Sequence, residues 1–172
     1  MNRHFHISLA CLLLAGGISG AAYADPVTIN ITGKVIAAPC VVDGTSSINV
    51  DLGDIPASDL AAVDAATPWK AFSMSVKNCP AGTTKVTASF SGTPAPDSPN
   101  YRYINTGTAT GVSIALVKDD VSANLENGAT WTVNVDSSRS ATWPLRTRIV
   151  AGNGKATPGT VKAVVVATLT YQ

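Results

Sequence analysis

The sequence is poor in charge. Lys, Arg, Asp and Glu make up 13% of its 172 residues, against roughly 25% in an average domain. Histidine is confined to His4 and His6, and glutamate occurs once, as Glu126. These shortages exclude much chemistry. Beyond residue 24 there is no imidazole for a Ser–His or Cys–His nucleophile pair, nor for the most frequent general base. No Ser-x-x-Lys and no Gly-x-Ser-x-Gly is present. Glu126 stands beside the turn signal Asn127-Gly128 and reads as a solvated loop carboxylate. Asp119 and Asp120 are adjacent, and neighbours on a strand point to opposite faces, so they do not converge on one substrate atom. Asp51, Asp54, Asp59 and Asp64 lack the ligand order and closing glutamate of an EF-hand calcium loop. The stretch "GTATG" lacks the lysine of a phosphate loop. The expectation is a protein with no catalytic residues, no metal and no cofactor.

Long apolar runs are equally scarce. The one candidate, Ile7 to Ile18, is shorter than the roughly 20 residues that span a bilayer. Arg3 precedes it and Ala22-Tyr23-Ala24 follows it, which makes residues 1–24 a secretory signal with a small-x-small cleavage site. Cleavage would remove both histidines, Cys11 and Arg3, and the remaining basic residues would balance the 11 acidic ones. A neutral balance argues against nucleic acid, which needs a clustered basic surface, and against an anionic membrane. Cys40 and Cys79 remain, 39 positions apart. An even pair in an exported protein reads as a disulfide, worth about 4 kcal/mol in the chain-entropy model. Two free buried thiols, or a zinc site with too few ligands, are the weaker readings.

What is abundant is Thr, Ser, Val, Gly and Ala. Alternating β-branched stretches recur at Val27–Val35, Ile48–Leu52, Phe72–Val76, Lys85–Phe90, Val112–Val117, Trp131–Val135, Pro144–Val150 and Val161–Tyr171. Gly, Pro and Asn turns separate them, including Asp43-Gly44, Pro80-Ala81-Gly82, Asn105-Thr106-Gly107 and Gly152-Asn153-Gly154. Such spacing predicts one all-β sandwich or barrel. Asp59–Ala66 carries no convincing apolar face and reads as a loop with one helical turn at most; Pro94–Pro99 reads as an exposed loop. In "TWTVNVD", Trp131, Val133 and Val135 share one face, as in a half-buried antiparallel strand. Ala163–Ala167 is apolar on both faces and is expected in the middle of a sheet. Trp69, Tyr101, Tyr103 and Trp143 could line a sugar site by stacking, although aromatic residues on sandwich strands are more often core.

The first strand poses a question. In Val27–Val35, Val27, Ile29, Ile31, Gly33 and Val35 alternate with polar Thr28, Asn30, Thr32 and Lys34, yet no turn pairs this strand with the next. "VTINITGKVIAAPC" (Val27–Cys40), "VDLGDI" (Val50–Ile55), "NCPAGTTKVTASFSG" (Asn78–Gly92), "GATWTVNVDSSRSATWPLRTR" (Gly128–Arg148) and "GKATPGTVKAVVVATLTYQ" (Gly154–Gln172) together resemble the pilins of the chaperone–usher pathway. The resemblance is nearest to the tip adaptor subunits of type 1 pili. It rests on the early Ala-Pro-Cys, the partner Cys at a strand end, Gly159 and the penultimate Tyr171.

That resemblance implies an incomplete immunoglobulin-like β-sandwich lacking its final strand and completed by donor-strand exchange. Residues 25–35 would be the donor-strand extension, using Val27, Ile29, Ile31, Gly33 and Val35, and residues 36–172 the pilin domain. Gly159, Val165, Ala167, Leu169, Tyr171 and Gln172 would border the acceptor groove and the chaperone-binding strand. The implied partners are neighbouring pilin subunits, a periplasmic chaperone and an outer-membrane usher. The implied location is the cell surface, reached through the periplasm. Gly33 would meet a shallow pocket, or else mark a strand bulge. A rod-forming major pilin shares these features. A sugar-binding adhesin is the rival of another class, although such proteins usually carry a separate lectin domain.

Overall fold

The structure, a computed structural model, describes residues 27–35 and 38–172. The expected signal peptide, 1–24, lies outside the described residues. The chain divides into two units, Met1–Lys34 and Val35–Gln172. Of the first, residues 27–34 are in neither strand nor helix. Val27, Ile29 and Ile31 are 83%, 78% and 91% exposed.

The second unit is built from short strands: β1 (Val41–Val42), β2 (Ala65–Ala66), β3 (Lys70–Lys77), β4 (Lys85–Ser91), β5 (Arg102–Ile104), β6 (Ser113–Lys118), β7 (Thr130–Asn134), β8 (Ala141–Ala151) and β9 (Val166–Tyr171). One 3₁₀ turn, Ala57–Leu60, precedes β2. The strands form a six-stranded sheet in the order β1-β3-β8-β6-β5, with β2 also on β8, and a three-stranded sheet in the order β7-β4-β9. All pairings are antiparallel.

Period-two patterning decides which face is buried. In β8, Ala141, Trp143, Leu145, Thr147 and Ile149 face the interior, and Thr142 and Pro144 face out. In β4, Val86, Ala88 and Phe90 are buried between exposed or half-exposed neighbours. These faces meet in one core around Trp143, Tyr103, Val86, Val76 and Leu125. Its polar atoms are paired, as buried polar groups must be. The Trp143 indole donates to the Trp131 carbonyl at 3.0 Å. The Tyr103 hydroxyl donates to the Leu125 carbonyl at 2.7 Å. The disulfide joins Cys40 to Cys79, tying the start of the domain to the end of β3.

Pro68 has no N–H to give a ladder, and it falls where β2 ends and β3 begins. Ala66 pairs with Val150 but Lys70 pairs with Thr147, so one extra residue is accommodated there as a bulge. Thr67 bridges the gap, donating its amide to the Ile149 carbonyl and accepting the Ile149 amide on its hydroxyl.

Three expectations need correction. Ile48–Leu52 and Val161–Val165 are not strands, because neither has a continuous backbone ladder beside it. Ala163–Ala167 does not lie in the middle of a sheet: β9 is hydrogen-bonded to β4 alone, so among the described residues its other edge has no strand beside it. The Thr93–Tyr103 loop contributes β5 and a bridge from Pro94 to Tyr103. Residues 59–66, expected as a loop with one helical turn at most, hold the end of the 3₁₀ turn and then β2.

Burial raises the Tyr103 hydroxyl pKa from 10.0 to about 12, with the Glu126 charge adding to the effect. A group whose folded pKa is raised stabilises the fold below its unfolded pKa. Tyr103 should therefore contribute fully below pH 10 and lose that contribution as pH rises toward 12. Alkaline urea titrations of wild type and Tyr103→Phe should show a steeper loss for wild type in this window. At neutral pH the variant should be less stable by about 1–3 kcal/mol, because the Leu125 carbonyl loses its donor.

Candidate functional site

A groove of about 1330 Å³ opens into the space between the two sheets. One wall is Thr45–Ile55 and the other runs from Ala156 to Leu169. Core-facing side chains reach it from both sheets: Phe72 and Met74 from β3, Ile114 and Leu116 from β6, Leu145 from β8 and Phe90 from β4. The interior of the sandwich is thus uncovered along one side.

The wall from Ala156 to Tyr171 is anchored along one edge only. Its C-terminal part, β9, pairs with β4 from Val166↔Ser91 to Tyr171↔Val86. Gln172 continues this contact, donating to the Lys85 carbonyl at 2.9 Å and accepting from the Thr84 and Lys85 amides. Its N-terminal part lies beside Asn105–Thr110 and is held largely by side chains. The Thr106 amide donates to the Lys162 carbonyl and the Ala109 amide to the Thr160 carbonyl. The Thr160 amide donates to the Thr108 hydroxyl, the Thr110 amide to the Thr157 hydroxyl, and the Lys162 amide to the Asn105 side-chain oxygen. Small hydroxyl residues take the place of a regular ladder, which accounts for the threonine abundance here.

Gly159 explains why this strip lies so close. A Cβ on residue 159 would collide with the backbone of Thr108 and Ala109, so only glycine permits the approach. Val161, Ala163, Val165, Ala167, Leu169 and Tyr171 then turn half-buried faces to the core. Burial raises the Tyr171 hydroxyl pKa.

Of the residues expected at the groove, Gly159, Val165, Ala167 and Leu169 line it together. Tyr171 and Gln172 lie past its end, on the β4 ladder. The opposite wall was legible only in part: "VDLGDI" was singled out by resemblance, but its place across from β9 had no local signal. Leu52 and Ile55 in that wall pack on Leu60, Ile149 and Ala151. Among the described residues, no three His, Cys, Asp or Glu side chains gather where they could hold a metal ion.

A β-sandwich with an apolar interior open beside an unpaired edge strand is a domain built to be completed by another extended segment. The comparisons agree with that class. The family model described as fimbrial protein matches residues 29–172, and the chain belongs to that family. It is 46% identical over 167 residues to Protein FimG of Escherichia coli strain K12, covering 96% of this chain and 95% of that protein. It is 36% identical to the S-fimbrial adhesin protein SfaS of E. coli strain 536, covering 96% of this chain and 99% of that one. Among solved structures, the P pilus rod subunit PapA matches with a TM-score of 0.66 at 19% identity, over 78% of this chain and all of that one. The protein is a structural pilin of the chaperone–usher type rather than an enzyme. It is exported to the cell surface as a component of fimbriae, where such subunits assemble with neighbouring pilins.

Gly159→Ala should destabilise the folded subunit by about 1–3 kcal/mol, through overpacking against residues 108–109. Urea denaturation should show the midpoint shift with an unchanged disulfide. A neutral substitution would mean that the strip can move away at no cost.

Proposed function

We propose that this pilin is a tip adaptor that both receives and donates a β-strand. The observation that carries the reading is the groove, open to the core along the free edge of β9. A neighbour's extended segment laid between Ile48–Ile55 and Val161–Leu169 would satisfy the unpaired backbone of β9 and send alternate side chains into the core. Residues 25–35 are the segment this chain lends in turn. Val27, Ile29, Ile31 and Val35 are all exposed. Exposed β-branched residues in strict alternation are a poor way to end a monomer and a good way to fill another copy's slot.

The magnitudes are adequate. Burying four such side chains at about 1.5–3 kcal/mol each yields roughly 6–12 kcal/mol before the cost of ordering the segment. At Gly33 the incoming strand presents no side chain, which suits a shallow point in the acceptor. Before assembly, a periplasmic chaperone would cover the same groove, with β9 and Gln172 as its contact strand, and an outer-membrane usher would receive the complex. The adaptor position is supported by the near full-length likeness to Protein FimG.

Ile31→Asp should leave the subunit folded in complex with its chaperone but reduce its incorporation into fimbriae at least about tenfold, since a charge would enter an apolar slot. Immunogold counts along fimbriae, set against periplasmic subunit levels, measure this; normal incorporation would overturn the donor role. A synthetic peptide with the donor sequence of a neighbouring subunit should raise the melting temperature of the isolated subunit by roughly 10 °C or more. No shift with any pilin donor peptide would show that the domain is already complete.

A further inference from the structure

A second cavity, of about 340 Å³, lies on the outward face of the six-stranded sheet. In β8 the odd-numbered residues from Ala141 to Ile149 point into the sandwich, whereas Arg148 and Val150 line this cavity. Asp64 and Trp69, Ser98 and Arg102, and Val121 and Asn124 complete its lining, which is open to one side. The four aromatic residues that the sequence offers as a stacking platform are divided here. Tyr103 and Trp143 are core. Trp69, next to the Pro68 bulge, and Tyr101 line the cavity, and Tyr101 is 57% exposed.

With Asp97 counted, its charges sum to zero but are unevenly paired. Arg102 is shared between Asp64 at 3.4 Å and Asp97 at 3.7 Å. Arg148 has no such partner: among the described residues no carboxylate forms an ion pair with it. Its guanidinium instead lies over the Trp69 ring, 4.1 Å from the centroid. Its Nε is buried and donates to nothing. A half-buried cation that stacking holds against a tryptophan, with a buried N–H left without an acceptor, calls for an explanation that an anionic ligand supplies. The rim is also strained. Val121 has φ of 56°, a conformation that β-branched residues rarely adopt, and it is 46% exposed. Strain of this kind collects at functional sites.

We propose that this cavity binds a carboxylate-bearing saccharide. The carboxylate would pair with the Arg148 guanidinium, the ring would lie against Tyr101, and the Asn124 amide and Ser98 hydroxyl would meet its hydroxyl groups. The volume is at the low end of small-ligand sites, roughly 300–1,000 Å³, and suits one or two sugar rings. A saccharide fits better than an acidic peptide. The site offers one cation without an ion-pair partner of its own beside an exposed aromatic face and small polar groups, not a groove with a free strand edge. The inference does not depend on the donor-strand reading, because no part of the groove enters it.

Saturation-transfer NMR on the purified full-length subunit tests it, with glucuronic and galacturonic acid as probes, glucose and galactose as neutral controls, and an N-acetylated, amidated glutamate as the peptide control. The uronic acids should bind saturably, at least about tenfold more tightly than the neutral sugars. Arg148→Gln should abolish that preference. Tyr101→Ala, a change at an exposed side chain, should weaken the uronic acids about tenfold and keeps the test valid if Arg148→Gln does not fold. Absent or equal binding of acidic and neutral sugars, or unchanged binding by either folded variant, would overturn the proposal. Binding of the glutamate probe as tight as that of the uronic acids would also overturn it, in favour of a protein carboxylate.

Discussion

The structure depends on one unsatisfied edge. β9 is hydrogen-bonded to β4 on one side only, and next to its other side the sandwich interior lies open. In a self-sufficient sandwich another strand would close that gap, because free N–H and C=O groups beside exposed apolar side chains are a template for association. Here the gap is held open by several local devices. Threonines and Asn105 tether the 156–165 strip without a regular ladder. Gly159 lets the strip approach the 108–109 backbone. The Cys40–Cys79 bond ties the chain leading into the opposite wall to the end of β3. An incomplete fold can persist only if both banks of the gap are fixed independently of its occupant.

The same division explains why the chain is poor in charge yet belongs to an assembly. In the donor-strand reading proposed above, partners would be recognised by backbone pairing and by alternate apolar side chains, neither of which needs ionic groups. The charges it does carry serve local ends: Lys77 with Asp43, Arg146 with Asp119, and Arg102 between two aspartates. Arg148 is stacked on Trp69 and has no acid beside it; among the described residues it is the guanidinium with a buried Nε left without an acceptor, and that marks the second cavity.

Most of the regular strands could be read from alternation. The runs at Phe72–Val76, Lys85–Phe90, Val112–Val117, Trp131–Val135 and Pro144–Val150 each fall on an observed strand, because each has one face against the core. Ile48–Leu52 and Val161–Val165 have the same pattern and are not strands, since a strand needs a continuous ladder and among the described residues neither has one beside it. Ala163–Ala167 reads as central because both faces are apolar, and the structure puts it at an edge. That mismatch is itself informative: the composition suits a strand with neighbours on both sides. β1, β2 and β5 were missed because two or three residues carry no period. Trp69 could not be told from Trp143 by sequence, because only the bulge at Pro68 and the stack with Arg148 distinguish a cavity wall from a core residue.

Local chemistry was therefore settled by residue type and spacing alone: a β-rich domain, a cysteine pair, an apolar leading segment, and no histidine after residue 6. Those are short-range properties, determined by period-two alternation and by which side chains exist. Which edge is left bare, which bank faces which, and which aromatic residues meet an unpaired guanidinium were decided by tertiary structure. Each depends on bringing together segments distant in the chain, such as Ile48–Ile55 with Val161–Leu169 and Trp69 with Arg148, and no local pattern encodes such a meeting.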